Sequence, residues 1–253
     1  MTTIGGGTLD RIAIISDIHG NTPALKAVLD DIRKKEVSKI ICLGDLAGKG
    51  PNPAEVVDII RRECNEVLMG NWDKMISEES DYAMVKWARE KLGQERLDYI
   101  KKLPFSLDFY ISGRLIRLFH ASPQGIFHRV HRHSPLEKIL GMFDNTENTG
   151  KLFGDQSPDI IGYGDIHGAY ISYFDDKVIF NVGSVGNPLD MTLASYVILE
   201  GEYNGRDNKG FQVNFIRVPY DVELAIRLAK DSNMPETDAY INELRTGRYR
   251  GRK

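Results

Sequence analysis

The residues best suited to chemistry in this chain are two copies of Asp-Ile-His-Gly, Asp17–Gly20 and Asp165–Gly168. Each copy directly follows an apolar run. Strict β alternation places the Asp and the His of one copy on the same face, so both can approach one metal ion where the chain leaves its strand. The pattern therefore predicts metal ligation at strand ends.

Further candidate ligands lie between the two copies, again after apolar runs: Gly44-Asp45, Gly70-Asn71-Trp72-Asp73 and Phe119-His120. A hydrolytic two-metal site needs several ligands to hold cations about 3.5–4 Å apart, with one carboxylate able to bridge them. Carboxylates, imidazoles and an amide carbonyl suit Mn²⁺, Fe or Mg²⁺ better than metals that favour thiolates. Any one of these residues alone is more often an ordinary turn residue, but the ordered set favours a metal centre.

Alternating strands and helices position the first of these residues. Short apolar runs and amphipathic periodicity predict, in order, a strand at Ile12–Ser16, a helix at Pro23–Lys35 with Thr22 as N-cap, a strand at Lys39–Leu43, a helix at Pro53–Cys64, a strand at Glu66–Met69, and helices at Tyr82–Lys91 and Gln94–Lys102. This alternation indicates parallel βαβ units.

The rhythm changes after Pro104, where short strands follow one another with brief turns. The predicted strands are Phe105–Tyr110, Arg114–Phe119, Ile160–Tyr163, Ala169–Phe174, Lys177–Asn181, Ser195–Leu199 and Phe211–Val218, with hairpin turns at Ser112-Gly113 and Asp175-Asp176. Helices at Tyr220–Lys230 and Glu236–Arg245 close the chain. We expect a mostly antiparallel second half and one domain over residues 1–253, with a flexible tail at 1–10 and C-terminal helices within 219–246.

Residues 121–158 form a long excursion between two predicted strands, with a helix near Pro135–Met142. Excursions of this length are usually functional, and we expect a lid-like insertion. It contains Phe127-His128-Arg129-Val130-His131-Arg132-His133, which holds half of the six histidines. Arg129 and Arg132 are candidates to bind substrate phosphates, and one of the three histidines is a candidate proton donor. The alternative is a solvated loop with alternating basic residues.

Composition excludes several other classes of protein. The 253 residues are 42% hydrophobic and 27% charged, with a formal net charge of −3, which argues against a broad nucleic-acid-binding surface. Cys42 and Cys64 are the only cysteines, and Cys42 lies in an apolar run typical of a buried thiol. Without an N-terminal apolar segment or a stretch near 18 apolar residues, we expect no signal peptide, no membrane span and a cytoplasmic location.

The ordered motifs resemble the calcineurin-like metallophosphoesterase superfamily, whose signature runs Asp-x-His, Gly-Asp, Gly-Asn-His-Asp or Glu, His and Gly-His-x-His. The chain is especially similar to the small bacterial and archaeal phosphodiesterase-like branch, over roughly residues 11–250. The resemblance implies an α/β fold, the four-layer αββα sandwich of two mixed sheets flanked by helices. It also implies a two-metal phosphoesterase, in which a hydroxide held between the metals attacks phosphorus.

Carried over by position, the resemblance assigns a role to each candidate ligand. It makes Asp17, His19 and His167 ligands of one metal, Asn71 and His120 ligands of the second, and Asp45 the bridge. Asp73 would orient a ligand or the attacking water. The cofactors would be two divalent cations, Mn²⁺ first, with Fe, Mg²⁺ and Zn²⁺ as alternatives. Asn21 would contact substrate or, equally well, cap a helix.

Two positions depart from the family pattern. Trp72 stands where the family has the His thought to protonate the leaving group, and an indole N–H cannot supply a proton near neutral pH. Asp165 stands where the family has a metal-binding His. It can ligate directly or through a water, which we favour over a purely structural role.

The missing acid favours substrates whose leaving group departs readily as an anion, such as a nucleotide phosphate with a second pKa near 6. We therefore expect a small phosphorylated substrate with a phosphodiester or phosphoanhydride bond, such as a dinucleoside polyphosphate. The alternatives are a phosphomonoesterase or protein phosphatase, and a catalytically degenerate scaffold that binds proteins.

Overall fold

The computed structural model describes residues 9–149 and 152–251. In this part of the chain the strands are β1 (Asp10–Ile15), β2 (Lys39–Cys42), β3 (Glu66–Val67), β4 (Ser106–Ile111), β5 (Arg114–Phe119), β6 (Ile160–Tyr163), β7 (Tyr170–Phe174), β8 (Lys177–Asn181), β9 (Ala194–Gly201) and β10 (Gln212–Val218). The α-helices are α1 (Thr22–Arg33), α2 (Pro53–Glu63), α3 (Asn71–Ser77), α4 (Ala83–Ile100), α5 (Leu136–Leu140), α6 (Val222–Asp231) and α7 (Thr237–Thr246).

The first sheet has the strand order β10-β9-β1-β2-β3. β1, β2 and β3 are parallel, with Ile12 opposite Lys39, and α1 and α2 are the crossovers, as the alternation of strands and helices predicts. β9 is antiparallel to both β1 and β10, so the last two strands return to the first sheet. The first sheet is therefore mixed.

The second sheet has the order β4-β5-β6-β8-β7. Its central strands β5, β6 and β8 are parallel, and only the two edge strands β4 and β7 pair antiparallel. The expectation of a mostly antiparallel second half is therefore wrong for this sheet. The excursion after β5 acts as a crossover that returns the chain to a parallel neighbour, which local turn signals do not reveal.

The two sheets pack face to face, with side chains of alternating direction on each strand. Ile12 and Ile14 of β1 join a core shared with Phe109, Leu118 and other residues of the second sheet. Ala13 and Ile15 point the other way and pack against α1, α2 and α4. Because alternate residues of a strand face opposite sides, one buried strand serves two layers.

The excursion covers the outer face of the second sheet. Val130, Ile139 and Phe143 pack against Ile161 and Tyr163 of β6 and neighbouring residues. Helices on one side and this segment on the other complete the predicted four-layer arrangement of two mixed sheets. The segment is thus a layer of the fold as well as a neighbour of the strand ends.

Several local predictions need correction. The N-cap of α1 is Asn21 and not Thr22, because the Asn21 side chain accepts a hydrogen bond from the Ala24 N–H at 3.1 Å. The short helix α3 was not predicted. Two helices were predicted around Gly93, and the assigned helix α4 does break there, at φ 68° and ψ 169°. Residues 1–8 of the expected flexible tail lie outside the described residues, and Asp10 already belongs to β1.

Candidate metal centre

The candidate ligands lie where strands of both sheets end. Asp17 and Asp45 follow β1 and β2 of the first sheet. His120 follows β5 of the second sheet, and Asp165 and His167 follow β6. Because the carboxyl ends of parallel strands share one edge of a sheet, the face-to-face packing brings both sets of side chains together.

At five of the candidate ligands, which follow β1, β2 and β6, the backbone is in the left-handed region, which is unusual for residues other than glycine. The φ angles are 55° at Asp17, 49° at His19, 55° at Asp45, 65° at Asp165 and 57° at His167. Such conformations cost about 1–3 kcal/mol each and concentrate at functional sites. Here they turn the chain sharply at each strand end and direct the polar side chains into the interior.

Two clusters of ligand atoms result, and they share Asp17. The first contains Asp17, His19 and His167, and the second contains Asp17, Asp45 and His120. Within each cluster the ligand atoms lie within 4.8 Å of one another, and all these residues are buried. This spacing suits an Asp/His metal site.

Asp45 faces both clusters. Its Oδ2 lies 3.5 Å from His19 Nε2, and its Oδ1 lies 3.5 Å from His120 Nε2. One carboxylate oxygen is thus available on each side, which is the arrangement that a bridging ligand requires.

Backbone carbonyls fix the tautomers of the three histidines. The Nδ1 atoms of His19, His120 and His167 contact the carbonyl oxygens of Ala47, Leu43 and Asn187, respectively. A carbonyl only accepts, so Nδ1 carries the proton and Nε2 keeps its lone pair in each neutral ring. Metal-bound histidines are usually held in this way.

A cation fits the resulting donor set. The Nε2 atoms of His19 and His167 lie 3.1 Å apart, where two lone pairs repel unless a positive charge lies between or beside them. Asp17 Oδ1 and His120 Nε2 are buried without a hydrogen-bond partner among the described residues. Buried polar atoms are nearly always satisfied, and a metal ion would satisfy both.

The pKa shifts agree with this interpretation. Burial, followed by the nearby His167, lowers the pKa of His19 well below its ordinary value, so His19 is the neutral imidazole that a ligand must be. Although burial opposes it, Asp45 and Asp17 raise the pKa of His120 to about 10. The carboxylates therefore attract positive charge to His120 Nε2, and a metal ion would compete with the proton there.

Asp73 accepts hydrogen bonds from the backbone around Asp45. Its Oδ2 accepts from the backbone N–H groups of Asp45 at 2.7 Å and Gly70 at 2.9 Å, and its Oδ1 accepts from Leu46 N–H at 3.0 Å. Burial and the Asp45 carboxylate raise its pKa to about 7. Asp73 thus joins the loop after β2 to the start of α3 and fixes the backbone that carries Asp45.

Asp165 is held differently from the other candidates. Its carboxylate accepts two hydrogen bonds from Arg129, Nε to Oδ2 at 2.8 Å and Nη2 to Oδ1 at 2.6 Å. Asn71 Nδ2 donates to the same Oδ1 at 2.6 Å. Neither cluster of ligand atoms found in the described residues includes Asp165. Asn71 makes this hydrogen bond through its amide nitrogen, so the bond does not engage its amide oxygen, the atom that would bind a metal ion.

Trp72, which the resemblance aligns with a His thought to protonate the leaving group, borders the candidate metal centre. Its ring is 5.9 Å from that of His19 between centroids, in an edge contact. A Cβ at Gly48, whose φ is 84°, would lie 2.2 Å from Trp72 Cε3. The indole therefore lies directly over the backbone of Gly48, which must be glycine for the ring to fit.

The excursion contributes some of its polar residues to the cleft and not others. Arg129 and His131 line a cleft of about 320 Å³ that also contacts Asp45, Asp165 and His167. The other predicted residues of this segment, His128, Arg132 and His133, do not line it. His128 Nδ1 is instead 2.8 Å from the hydroxyl of Ser122.

Asn21 does not line the cleft. It is fully buried, and its amide caps α1 and donates to the Gly186 carbonyl at 2.8 Å. Of its two predicted roles, the structure therefore supports capping, because no part of the amide reaches the surface.

Lys49 and Tyr249 also line the cleft, although neither was predicted as a site residue. Lys49 Nζ donates to Asn187 Oδ1 at 2.8 Å and lies 3.6 Å from Glu243. Its position soon after Gly44-Asp45 was a usable signal. Tyr249 lies far along the chain, and no local pattern marks it.

Comparison with known proteins confirms the family that the motifs resemble. Residues 11–204 match the calcineurin-like phosphoesterase superfamily domain. An uncharacterized protein of Methanocaldococcus jannaschii is 31% identical over 255 aligned positions, covering 89% of this chain and 94% of the relative. A metallophosphoesterase structure from Sphaerobacter thermophilus has a TM-score of 0.73 at 26% identity, covering 94% of this chain and 99% of the other. A hypothetical protein from Pyrococcus horikoshii shares the fold, with a TM-score of 0.75 at 23% identity over 94% and 98% of the two chains.

The fold and the Asp/His clusters define a metal-dependent phosphoester hydrolase. The chain belongs to the calcineurin-like phosphoesterase superfamily, whose members use divalent metals. Across the described ranges, none of the helices is long and apolar enough to cross a membrane.

Proposed function

We propose that this protein is a two-metal phosphoesterase that hydrolyses phosphodiester or phosphoanhydride bonds of nucleotide-type substrates, such as a dinucleoside polyphosphate. One observation carries the proposal. The Nε2 atoms of three histidines converge with the carboxylates of Asp17 and Asp45 in a buried space, where atoms of Asp17 and His120 are unsatisfied among the described residues.

The ligand set divides into two groups around Asp45. Asp17, His19 and His167 would hold one cation, Asn71 and His120 the other, and Asp45 would contact both. Two bound divalent cations would supply a water of lowered pKa and neutralise charge on the phosphate. Imidazole, carboxylate and amide donors favour Mn²⁺, with Fe, Mg²⁺ and Zn²⁺ as alternatives.

Residues of the cleft wall would bind the substrate. Arg129 is held by Asp165 in a two-bond fork while half of its side chain stays exposed, so the guanidinium can also meet a phosphate oxygen. Lys49 adds a second cation on the opposite loop. These charges would orient the phosphate and stabilise negative charge as it develops.

Trp72 supports the choice of leaving group. An indole beside the centre donates no proton, so the bond that breaks should release a group stable as an anion. A nucleoside phosphate or an aryl oxide satisfies this condition and a sugar alkoxide does not, so Trp72 favours phosphoanhydrides and activated aryl phosphodiesters over diesters between two sugars.

A substrate screen tests the proposal. Protein loaded with Mn²⁺ is incubated with phosphomonoesters, phosphodiesters and dinucleoside polyphosphates, metal content is measured, and the products are identified by mass spectrometry. We expect close to two metal ions per chain and the highest kcat/KM on diesters or anhydrides. Preference for monoesters would instead indicate a phosphatase, and a protein that binds no metal would indicate a degenerate scaffold.

A further inference from the structure

We propose that the pocket beside Trp72, here called the aromatic pocket, binds the base of a nucleotide whose phosphate lies at the metal centre. The inference rests on the proposed function and deepens it, because it assigns the part of the substrate that does not react. The rings of Trp72, Tyr82 and Tyr249 line the pocket, together with Met84, Tyr240 and Arg250.

The dimensions of the aromatic pocket suit a flat heterocycle. Its cavity volume is about 100 Å³, smaller than the range of about 300–1,000 Å³ typical of whole small-molecule sites, so it would take one flat ring system and not an entire ligand. The Trp72 and Tyr82 rings lie 5.9 Å apart between centroids and are tilted by 46°. Aromatic walls of this kind stack on any nucleobase, since every base has a π face.

The aromatic pocket adjoins the metal centre. Lys49, Trp72 and Tyr249 line both the pocket and the catalytic cleft. The Trp72 ring lies 5.9 Å from His19 on one side and 5.9 Å from Tyr82 on the other. One indole therefore separates a candidate metal ligand from the second aromatic wall, so a single nucleotide can reach from one to the other.

Polar groups at the rim of the aromatic pocket pair with one another. Glu236 accepts from Tyr82 Oη and from Arg250 Nη2, both at 2.8 Å, so these three side chains hold one another. Tyr240 Oη is buried and has no hydrogen-bond partner within the described part of the chain. Because this hydroxyl is buried beneath the surface of the pocket, a base would contact the aromatic rings and not the hydroxyl.

Trp72 would then take part in substrate binding. Trp72 stands in place of the family's usual proton donor, and its indole would supply a stacking surface between the positions of the phosphate and the base. A substrate with a good leaving group needs no donor, and a nucleotide with a base gains binding from the indole. Trp72 in place of the family's His would then explain both the need for a good leaving group and the preference for a nucleotide.

Two chromogenic diesters test this idea. Thymidine 5′-(p-nitrophenyl phosphate) and methyl p-nitrophenyl phosphate lose the same p-nitrophenolate and differ only in the group that remains. The ratio of their kcat/KM values therefore measures recognition of the nucleoside. We expect Tyr82→Leu and Tyr249→Leu each to lower this ratio by about 5- to 100-fold, as loss of base stacking does.

Matched variants separate stacking from structural damage. Tyr82→Phe keeps the ring and removes the hydroxyl bond to Glu236, so it should preserve the ratio. Tyr173→Leu changes an exposed tyrosine of β7 that does not line the pocket, and it should also preserve the ratio. A ratio unchanged in both leucine variants of the pocket would overturn the proposal.

A binding measurement distinguishes this inference from the proposed function. In a Trp87→Phe background Trp72 is the remaining tryptophan, and its fluorescence reports titration with AMP or ribose 5-phosphate in the absence of added metal. We expect AMP to bind at least about fivefold more tightly, and the difference to disappear with Tyr82→Leu. Tight AMP binding without hydrolysis of either diester would refute the hydrolase and retain the pocket. Hydrolysis with equal binding of AMP and ribose 5-phosphate would refute the pocket alone.

Discussion

The two Asp-Ile-His-Gly segments have the same sequence and different surroundings. In Asp17–Gly20, both the carboxylate and the imidazole belong to a cluster of ligand atoms. In Asp165–Gly168, only His167 does, and Asp165 is bound by Arg129 and Asn71. The same four residues therefore provide two candidate ligands in one copy and one in the other, and all three belong to the same cluster.

The difference lies in what neutralises each carboxylate. Asp17 Oδ1 is buried without a hydrogen-bond donor among the described residues, and histidines surround it. Against the raising effect of burial, the His167 and His120 imidazoles hold the pKa of Asp17 well below its ordinary value. Asp165 is also buried, but the guanidinium of Arg129 already provides its counter-charge. A carboxylate paired in this way has less to offer a metal ion.

The largest effect should come from Asp45, which faces both ligand clusters. We expect Asp45→Asn to reduce kcat by on the order of 10³-fold, because it removes charge from both metal positions and metal ions contribute several kcal/mol to transition-state stabilisation. Metal content by mass spectrometry should fall with the activity. Retained turnover with full metal content would refute the central role of Asp45.

A paired substitution in the second Asp-Ile-His-Gly copy tests directly whether only its His is a ligand. We expect His167→Ala to weaken metal binding by more than about 100-fold, since even residues behind the ligands contribute 10- to 100-fold. Asp165→Ala should stay within about 10- to 100-fold, because it removes the residue that holds Asn71 and Arg129. Calorimetric Mn²⁺ titration measures both. Equal losses would show that Asp165 is a ligand and would remove the contrast.

Asp73 holds the backbone that carries Asp45, so its substitution should lower the free energy of unfolding. Asp73→Asn places an NH₂ group against backbone donors that now give their hydrogen bonds to a carboxylate. We expect a loss of about 1–3 kcal/mol in the free energy of unfolding, measured with urea. Asp81→Asn, on an exposed side chain, is the matched control and should change little. An unchanged midpoint for Asp73→Asn would contradict this role.

The smallest effect concerns the histidines of the excursion. His131 lines the cleft and His133 does not, so His131→Ala should alter kcat/KM and His133→Ala should not. Burial and the nearby Arg129 lower the pKa of His131, so it is mostly neutral at pH 7 and a poor proton donor. We therefore expect a change below about tenfold, the same for good and poor leaving groups. A loss of 10² or more with poor leaving groups alone would identify His131 as the missing acid.

Much of the fold followed from local patterns. The strands Arg114–Phe119, Ile160–Tyr163 and Lys177–Asn181 have the predicted bounds, since short apolar runs between turns define them well. The pairing of β5 with β6 did not follow, because parallel neighbours are joined through the excursion and share no local signal. Likewise the sequence left two roles open for Asn21, and its burial and its hydrogen bond from the Ala24 N–H show that it caps a helix.

The sequence by itself determined which donors the centre contains and their order along the chain, because metal chemistry requires particular residue types at strand ends. It also revealed the two departures, Trp72 and Asp165. Only the tertiary structure decided that Arg129 engages Asp165 and that Tyr249 stands beside Trp72. These contacts join distant segments, and their geometry depends on how the sheets, the excursion and the C-terminal helices pack against one another.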